Sequence, residues 1–468
     1  MRLRVWALLG VLAVCGGLGS RPFAVPPAYA QAPAAGAPAA PPANPTATSK
    51  AELDRQYDAA FQEMLQKPAD LDVLFKFAAI ASQTGDLEGA ISALERMLLI
   101  NANLPRVRLE LGVLYYRLNS YEVARTYLEG ALQSPSVPPD VRNRAEQFLA
   151  QIVNQAKPSQ FHGEAFVGFR YQSNANLGPA TSAVRLFGQA ANLNQQAIGS
   201  PDWGAVSTLQ VRHTYDFGTQ DKATLETFFT GYANRQFTQS AANVWLLDLT
   251  TGPRFQVFNG TFEDMTVKPL LAAGAIWVND TYYYASYGGG VEVNTLLSDR
   301  LRNVSTAVWR RHENTDTAYL PTNSLFRGTE YTFNTVFPFQ LTPIVSLFGS
   351  GSAQRFMSDL APWQSYTLWG IGGGMTFRFG DPVLKTGLPW IVSLTASEQW
   401  WHYDAPDVTV DPTAYRDQTD FILNLTLAVP FDERTTFSVS GGRFVRNATL
   451  PNYAFENNNV MFGVSWRF

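Results

Sequence analysis

From about residue 161 to the C-terminus, apolar and polar residues alternate with a period of two over unusually long segments. In the clearest segment, one face of the predicted strand is entirely apolar and consists of Phe421, Leu423, Leu425, Leu427 and Val429. Ile422, Asn424, Thr426 and Ala428 fall on the other face. Successive side chains of a strand point to opposite sides, so this pattern predicts β-strands with two different faces. Many segments run for about 11 to 16 residues, against roughly 5–6 in soluble proteins, which predicts strands that cross a bilayer at a tilt.

About fourteen such segments follow one another, separated alternately by short polar turns and by longer loops. The predicted strands begin near Phe161, Trp203, Lys222, Asn243, Thr266, Tyr282, Leu301, Arg327, Pro343, Trp363, Pro389, Asp417, Thr435 and Asn458. The longest loops cover residues 172–202, 315–326, 404–416 and 447–457. An even strand number and loops that are long on one side only are typical of bacterial outer-membrane barrels. Residues 161–468 are therefore predicted to form an all-β, antiparallel transmembrane barrel in contact with outer-membrane lipid.

Composition agrees with this interpretation and excludes several others. Charged residues make up only 16% of the 468 residues, and aromatic residues make up 13%. The net charge is −4, so there is no basic excess with which to bind nucleic acid. The single cysteine excludes a disulfide scaffold.

The chain ends in an alternating aromatic strand. Trp466 lies two residues before the terminal Phe468, and Gly463 lies upstream of both. This ending resembles the C-terminal signal of outer-membrane barrels. The resemblance implies that these three residues are read by the barrel-assembly machinery.

The first 50 residues have the pattern of a targeting segment followed by a linker. Arg2 and Arg4 precede an apolar stretch over residues 5–18, and Ala28-Tyr29-Ala30 is a small-x-small cleavage site. Residues 1–30 are therefore predicted to be a signal peptide. Two alternatives stay open, an uncleaved anchor and a lipid attached to Cys15. Residues 31–50 are mostly Ala and Pro and are predicted to be an extended linker.

Residues 51–157 have a helical period and contain a repeat with a spacing of 34 residues. Phe77-Ala78 matches Leu111-Gly112, and Leu94 matches Leu128. The pattern resembles the tetratricopeptide repeat, with Leu111 to Tyr115 as its Leu-Gly-x-x-Tyr motif. The resemblance implies a groove for an extended protein segment, lined by Asp72, Phe75, Ser82, Gln83, Arg106, Leu109, Tyr116 and Arg117. A plain helical spacer is the alternative.

No constellation of residues points to an enzyme, a metal site or a cofactor. The histidines are His162, His213, His312 and His402, and none belongs to a His-Glu-x-x-His motif. No Gly-x-Ser-x-Gly elbow is present. The sequence therefore predicts a protein without catalytic activity and without cofactors, and a site of unusual design at the barrel end is the alternative left open.

The whole arrangement resembles the surface lipoprotein assembly modifiers of Gram-negative bacteria. The segment Tyr171-Gln172-Ser173-Asn174-Ala175-Asn176 is similar to that family's Tyr-x-Ser-Asn-x-Asn opening of the barrel. The resemblance implies an outer-membrane barrel that helps to deliver proteins to the cell surface, with periplasmic repeats that dock a client or a chaperone. An exopolysaccharide exporter and a porin with a protein-binding periplasmic foot are the alternatives.

Overall fold

The computed structural model describes residues 50–468, except 119, 135, 156, 157, 196, 220–222 and 258–263. The predicted signal peptide and nearly all of the predicted linker therefore lie outside the described residues. The chain divides between Pro158 and Ser159 into two compact units.

The first unit consists of helices only. They are α1 (Lys50–Gln66), α2 (Leu71–Thr84), α3 (Leu87–Ile100), α4 (Pro105–Arg117), α5 (Tyr121–Leu132) and α6 (Pro139–Gln155). Local sequence signals mark several helix ends. Asp70 caps α2 by accepting from the backbone N–H of Asp72 at 3.0 Å. The same helix ends at Gly85, whose φ of +94° suits a residue without a Cβ.

The repeated apolar positions form the core of this unit. Leu74, Phe77 and Leu94 are at most 2% exposed and belong to one cluster with Met97. Gly112 allows α4 and α5 to approach closely, because a Cβ there would lie 2.6 Å from Cγ of Leu128. The tetratricopeptide-like pairing of α2 with α3 and of α4 with α5 is thus built on the residues that repeat in the sequence.

The second unit contains sixteen strands among its described residues. Fourteen long strands are β1 (Ser159–Gln172), β4 (Asp202–Asp216), β5 (Thr224–Gln236), β6 (Val244–Val257), β7 (Met265–Val278), β8 (Thr281–Ser298), β9 (Leu301–Asn314), β10 (Gly328–Thr342), β11 (Val345–Ser358), β12 (Tyr366–Phe379), β13 (Trp390–Tyr403), β14 (Asp417–Pro430), β15 (Thr435–Ala448) and β16 (Phe455–Arg467). The two short strands β2 (Ala183–Leu186) and β3 (Gln189–Asn192) form a separate hairpin in the first long loop.

The fourteen long strands form one closed antiparallel barrel, in which each strand pairs with its neighbours along the chain. The first and last strands close it in a register that runs from Glu164↔Arg467 to Gln172↔Asn459. The predicted fold class, a helical repeat domain followed by a barrel of fourteen strands, is confirmed. The hairpin β2–β3 was not predicted, since its four-residue strands are too short to show a clear alternation.

The two faces of the barrel differ as the alternation predicts. On β14, Leu425 is 52% exposed on the outer face, whereas its neighbours Asn424 and Thr426 are half-buried on the inner face. On β13, Trp400 points outward and is 40% exposed, while Trp401 points into the lumen and is 5% exposed. A closed barrel of this size with an apolar outer face fits an outer-membrane protein.

Among the helices of the described residues, none is both long enough and apolar enough to span a membrane.

Glycines allow the closing strands to pack closely. Gly168 pairs with Gly463, and the ring of Phe166 lies over this pair. A Cβ on Gly463 would lie 2.5 Å from the carbonyl oxygen of Val167. At the end of the chain, Phe468 exchanges two backbone hydrogen bonds with Gly163, at 2.9 and 3.0 Å. The predicted terminal signal therefore lies in the seam that closes the barrel, and its recognition by the assembly machinery stays a prediction.

Candidate functional site: the repeat face and the barrel lumen

The first candidate is the face formed by α2, α4 and α6, which we call the repeat face. Polar contacts between equivalent positions of successive helices cross this face. Arg117 of α4 donates to the hydroxyl of Ser82 of α2 at 3.0 Å. Between α4 and α6, Arg106 pairs with Asp140 at 2.9 Å, and Glu110 pairs with Arg144 at 3.0 Å. These contacts hold the helices side by side.

The predicted groove residues fall into three groups on this face. Asp72, Gln83, Arg106 and Arg117 are exposed. Phe75 and Ser82 are half-buried, and Phe75 packs against the apolar core. The remaining two, Leu109 and Tyr116, are buried, with 1% and 3% exposure.

The prediction that Leu109 and Tyr116 line an open groove is therefore wrong. Both side chains belong to the apolar cluster between α4, α5 and α6. The ring of Tyr116 lies 5.3 Å from that of Phe148 and 5.6 Å from that of Tyr121. The reason is that α6 covers this part of α4, as a terminal helix of a repeat array must do to shield apolar surface.

The side chains of Glu95, Tyr115 and Tyr127 connect α3, α4 and α5. The rings of Tyr115 and Tyr127 stack with centroids 5.4 Å apart. Both hydroxyls donate to the same oxygen of Glu95, at 2.9 Å and 3.2 Å. Burial and this hydrogen bond raise the pKa of Tyr115 to about 12. None of the three was predicted from the sequence as a functional residue, and their role is structural.

The second candidate is the barrel lumen, whose two ends differ. We call the end with the short connections the turn end, and the end with the long loops the loop end. Near the loop end, every barrel strand contributes a buried side chain. They are Gln172, Asp202, Gln236, Val244, Val278, Tyr284, His312, Glu330, Gln354, Tyr366, Trp401, Asp420, Arg446 and Asn457. The lumen is therefore filled by side chains at the loop end.

Hydrogen bonds and ion pairs hold this filling in place. Arg446 of β15 and Asp420 of β14 pair through two contacts, at 2.6 and 2.5 Å, and both residues are at most 3% exposed. Gln354 donates to Glu330 at 2.8 Å. A buried charge that is paired in this way costs much less free energy than an isolated one.

Towards the turn end, one side of the lumen carries a charged network. Arg254 of β6 contacts Glu226 of β5 at 2.8 Å and Glu292 of β8 at 2.5 Å. Lys268 of β7 lies 3.4 Å from Glu226. Opposite charges are paired within this network, which stabilises this wall of the lumen.

The segment Tyr171 to Asn176, singled out in the sequence, forms the base of the first long loop. Asn174 is buried, and its side chain both donates to the carbonyl of Gly178 and accepts from its N–H, at 2.9 and 3.0 Å. Asn176 joins the two ends of the loop, since it contacts Ile198 and Ser200 at 2.9 and 2.8 Å. Both asparagines therefore stabilise the conformation of this loop.

That loop also packs on the loop after β13. Arg185 pairs with Asp411 at 3.0 Å, and the backbone of Phe187 donates to Thr409 at 3.1 Å. Hydrogen bonds from Thr413 and the charge of Arg185 hold the pKa of Asp411 below its usual value. The loops after β1 and β13 are thus fastened to each other above the filled lumen.

Within the described part of the chain, no three His, Cys, Asp or Glu side chains are grouped closely enough to hold a metal ion.

No protein-family model matches the sequence, and no curated protein matches it significantly. Among solved structures, the barrel of a loop L8 deletion mutant of OmpT, an outer-membrane protein of Vibrio cholerae, is 8% identical, with a TM-score of 0.35; the alignment covers 66% of this chain and 99% of that one. A bacterial polysaccharide outer membrane secretin is also 8% identical, with a TM-score of 0.32 and coverage of 65% and 98%. The helical unit is similar to the Yersinia enterocolitica type III secretion chaperone SycD, solved with a peptide of the translocator YopD. That chain is 14% identical, with a TM-score of 0.20 and coverage of 24% and 100%.

Proposed function

We propose that this protein is an outer-membrane barrel whose periplasmic helical unit docks a client protein or its chaperone and assists delivery of a surface lipoprotein. The observation that carries the proposal is the joining of an exposed, polar repeat face to a closed barrel in one chain. A passive pore does not need a helical unit of this kind.

The direction of the first barrel strand supports the periplasmic placement. β1 begins at Ser159, directly after the helical unit, and the first long loop follows its other end. The chain therefore enters the barrel at the turn end. Outer-membrane barrels have their short turns in the periplasm, so the repeats belong on that side in this proposal.

The chemistry of the repeat face suits an extended protein segment. Gln83, Arg106 and Arg117 are exposed and offer amide and guanidinium groups. Arg donates to carboxylates and carbonyls with a planar fork, and an exposed Arg contact such as Arg117–Ser82 can be exchanged for a contact with a client. Capture below the barrel would raise the local concentration of the client there. The proposal assigns no catalytic step and no cofactor.

The filled loop end argues against the porin alternative. Small solutes would have to cross a section in which all fourteen strands contribute buried side chains. The same section would obstruct an exopolysaccharide chain, so it also argues against the exporter alternative, and the experiment checks that alternative by measuring extracellular polymer.

The test replaces two exposed residues of the repeat face, with Gln83→Ala and Arg117→Ala combined. Tyr116 is left unchanged, because its removal would damage the core. The matched control is Glu122→Ala with Thr126→Ala, two exposed residues of α5. Surface proteins of intact cells are labelled with a membrane-impermeant biotin reagent and quantified at equal barrel abundance in the outer membrane.

We expect the repeat-face variant to lower the amount of at least one surface lipoprotein several-fold, and the α5 control to leave it unchanged. Loss of extracellular polymer with unchanged surface proteins would favour the polysaccharide exporter. If neither the variant nor a deletion of residues 51–157 changed proteins or polymer, the helical unit would be a spacer and the proposal would be refuted.

A further inference from the structure

Two charged side chains lie on the outer face of the barrel, one on each side of β14. Glu398 of β13 pairs in the sheet with Phe421 of β14, and Arg443 of β15 pairs with Leu423. Directly opposite residues of neighbouring strands point to the same side of a sheet. Phe421 and Leu423 are 39% and 36% exposed in the outward apolar run of β14, so both charges point outward as well. Such charges call for a partner, because hydrocarbon chains cannot solvate them.

Glu398 has no such partner among the described residues of its own chain. Its side chain is half-buried, and no hydrogen bond or ion pair joins it to another described residue. Its neighbours on the two sides in the sheet are Ile371 and Phe421, both apolar. Arg443 lies beyond β14, two strand spacings or about 10 Å away. The carboxylate of Glu398 is therefore open to a positive group of another molecule.

Arg443 is partly paired and keeps donors for a second carboxylate. Its guanidinium donates to Glu456 at 2.8 Å and to Asn458 at 3.4 Å, both on the neighbouring strand β16. The Arg443 side chain stays 48% exposed. A guanidinium has five N–H donors, so these two contacts leave others for a further acceptor.

The two charges lie at the same depth along the barrel. β13 ends at Tyr403 and β15 ends at Ala448, both at the loop end, so Glu398 and Arg443 each lie five residues before the end of their strand. In a dimer whose two-fold axis runs along the membrane normal beside β14, β13 of one copy faces β15 of the other. Glu398 of each copy then faces Arg443 of the other copy, which gives two equivalent ion pairs.

From these observations we infer that the protein forms a two-fold symmetric dimer in the membrane through the outer face of β13, β14 and β15. Glu398 of each copy pairs with Arg443 of the other copy, and the contact surface ends at Leu423. Leu425 lies two residues nearer the turn end and stays in contact with lipid. The inference concerns the barrel alone and does not depend on the role of the helical unit.

A lipid headgroup matches this face less well than a second copy does. A phosphate would meet Glu398 and Glu456, and an ammonium group would meet Arg443. A zwitterionic headgroup carries both charges, but on atoms that lie closer together than two strand spacings. A second copy presents both charges in the required order because the two-fold axis exchanges β13 with β15.

The first test is disulfide cross-linking of the full chain in the outer membrane. Leu423 lies beside the proposed two-fold axis, so Leu423→Cys brings one cysteine from each copy close together. The control is Leu249→Cys on the outer face of β6, since Leu249 is 39% exposed and also lies five residues from the loop end of its strand. After oxidation with copper phenanthroline, we expect the cross-linked dimer fraction to be at least five times larger for Leu423→Cys than for Leu249→Cys.

The second test reverses the charges in the Leu423→Cys chain. Glu398→Arg places arginine opposite arginine, so it should lower the cross-linked fraction at least fivefold. A copy with Glu398→Arg and a differently tagged copy with Arg443→Glu carry opposite charges at both pairs. When produced together, these two copies should cross-link with each other and much less with themselves. Heat-modifiable migration on gels confirms that the variants are folded.

The inference is overturned if Leu423→Cys and Leu249→Cys cross-link equally, a comparison that requires no charge variant to fold. An unchanged cross-linked fraction in Glu398→Arg would also overturn it. A purified barrel that is monomeric and retains a phospholipid that Arg443→Gln releases would assign this face to a lipid and overturn the dimer.

Discussion

Replacement of Leu425 by arginine tests the assignment of the lipid-facing side. The outward apolar residues of β14 run from Phe421 to Val429, eight residue steps, or about 27 Å along the strand. At a tilt of about 40° this run covers roughly 20 Å of the membrane normal, within an apolar band of about 25 Å. Leu425 lies at its centre, about 10 Å from either edge. Leu425→Arg should therefore lower the free energy of unfolding by about 2–4 kcal/mol.

The matched control is Asn424→Arg on the same strand. Asn424 points into the lumen, where a charge can stay hydrated, so its replacement should cost less than about 1 kcal/mol. The assay is reversible unfolding of the barrel in phospholipid vesicles by guanidinium chloride, followed by tryptophan fluorescence. If the two costs were reversed, the register of β14 would be shifted by one residue, and every inward and outward assignment on that strand would be wrong.

Three further predictions follow from the seam, the first long loop and the helical unit. Gly463→Ala should reduce the folded fraction in the outer membrane, because its Cβ would lie 2.5 Å from a backbone oxygen. The control Gly441→Ala, which has open space around it, should leave the folded fraction unchanged. Heat-modifiable bands of equal intensity for the two variants would contradict this prediction. Asn174→Ala should lower the local stability of the first long loop by about 1–3 kcal/mol and speed proteolysis within residues 173–201. An unchanged cleavage rate would contradict the role of Asn174 in stabilising the base of this loop. Because the pKa of Tyr115 is about 12 in the folded chain against 10.0 for an ordinary tyrosine, its stabilising effect is complete below about pH 10 and disappears as the pH rises to 12. Tyr115→Phe should flatten this alkaline decline in thermal unfolding, and an identical decline would refute the assignment.

The barrel could be predicted strand by strand because its pattern depends on one physical rule. Every strand separates lipid from the lumen, so the polarity of each residue indicates which way its side chain points. The strands predicted near Asp417 and Thr435 begin at those residues in the structure. Strands next to polar loops were placed less accurately. The last strand begins at Phe455, three residues before the predicted Asn458, because Glu456 and Asn457 look like loop residues in the sequence.

The candidate sites were predicted less completely than the fold, since they depend on contacts between distant residues. The repeat resemblance identified the helix face but could not show that α6 buries Leu109 and Tyr116. Filling of the lumen involves inward side chains of all fourteen strands, and alternation alone does not show whether opposite walls touch. The segment from Tyr171 to Asn176, singled out by its resemblance to a family motif, lies at the base of the first long loop, and the hydrogen bonds of Asn174 stabilise that loop.

The most direct test of the central claim is the side of the membrane on which each end of the barrel lies. Gln83 on the helical unit and Gln189 on the first long loop are both exposed glutamines. The chain's single cysteine, Cys15, lies in the predicted signal peptide, so cysteine introduced at either position would be the only target in the mature protein. Cells producing Gln83→Cys or Gln189→Cys are treated with a membrane-impermeant maleimide, before and after permeabilisation of the outer membrane. The account predicts that Gln189→Cys is labelled on intact cells and that Gln83→Cys is labelled only after permeabilisation. Labelling of Gln83→Cys on intact cells, or protection of Gln189→Cys, would contradict it.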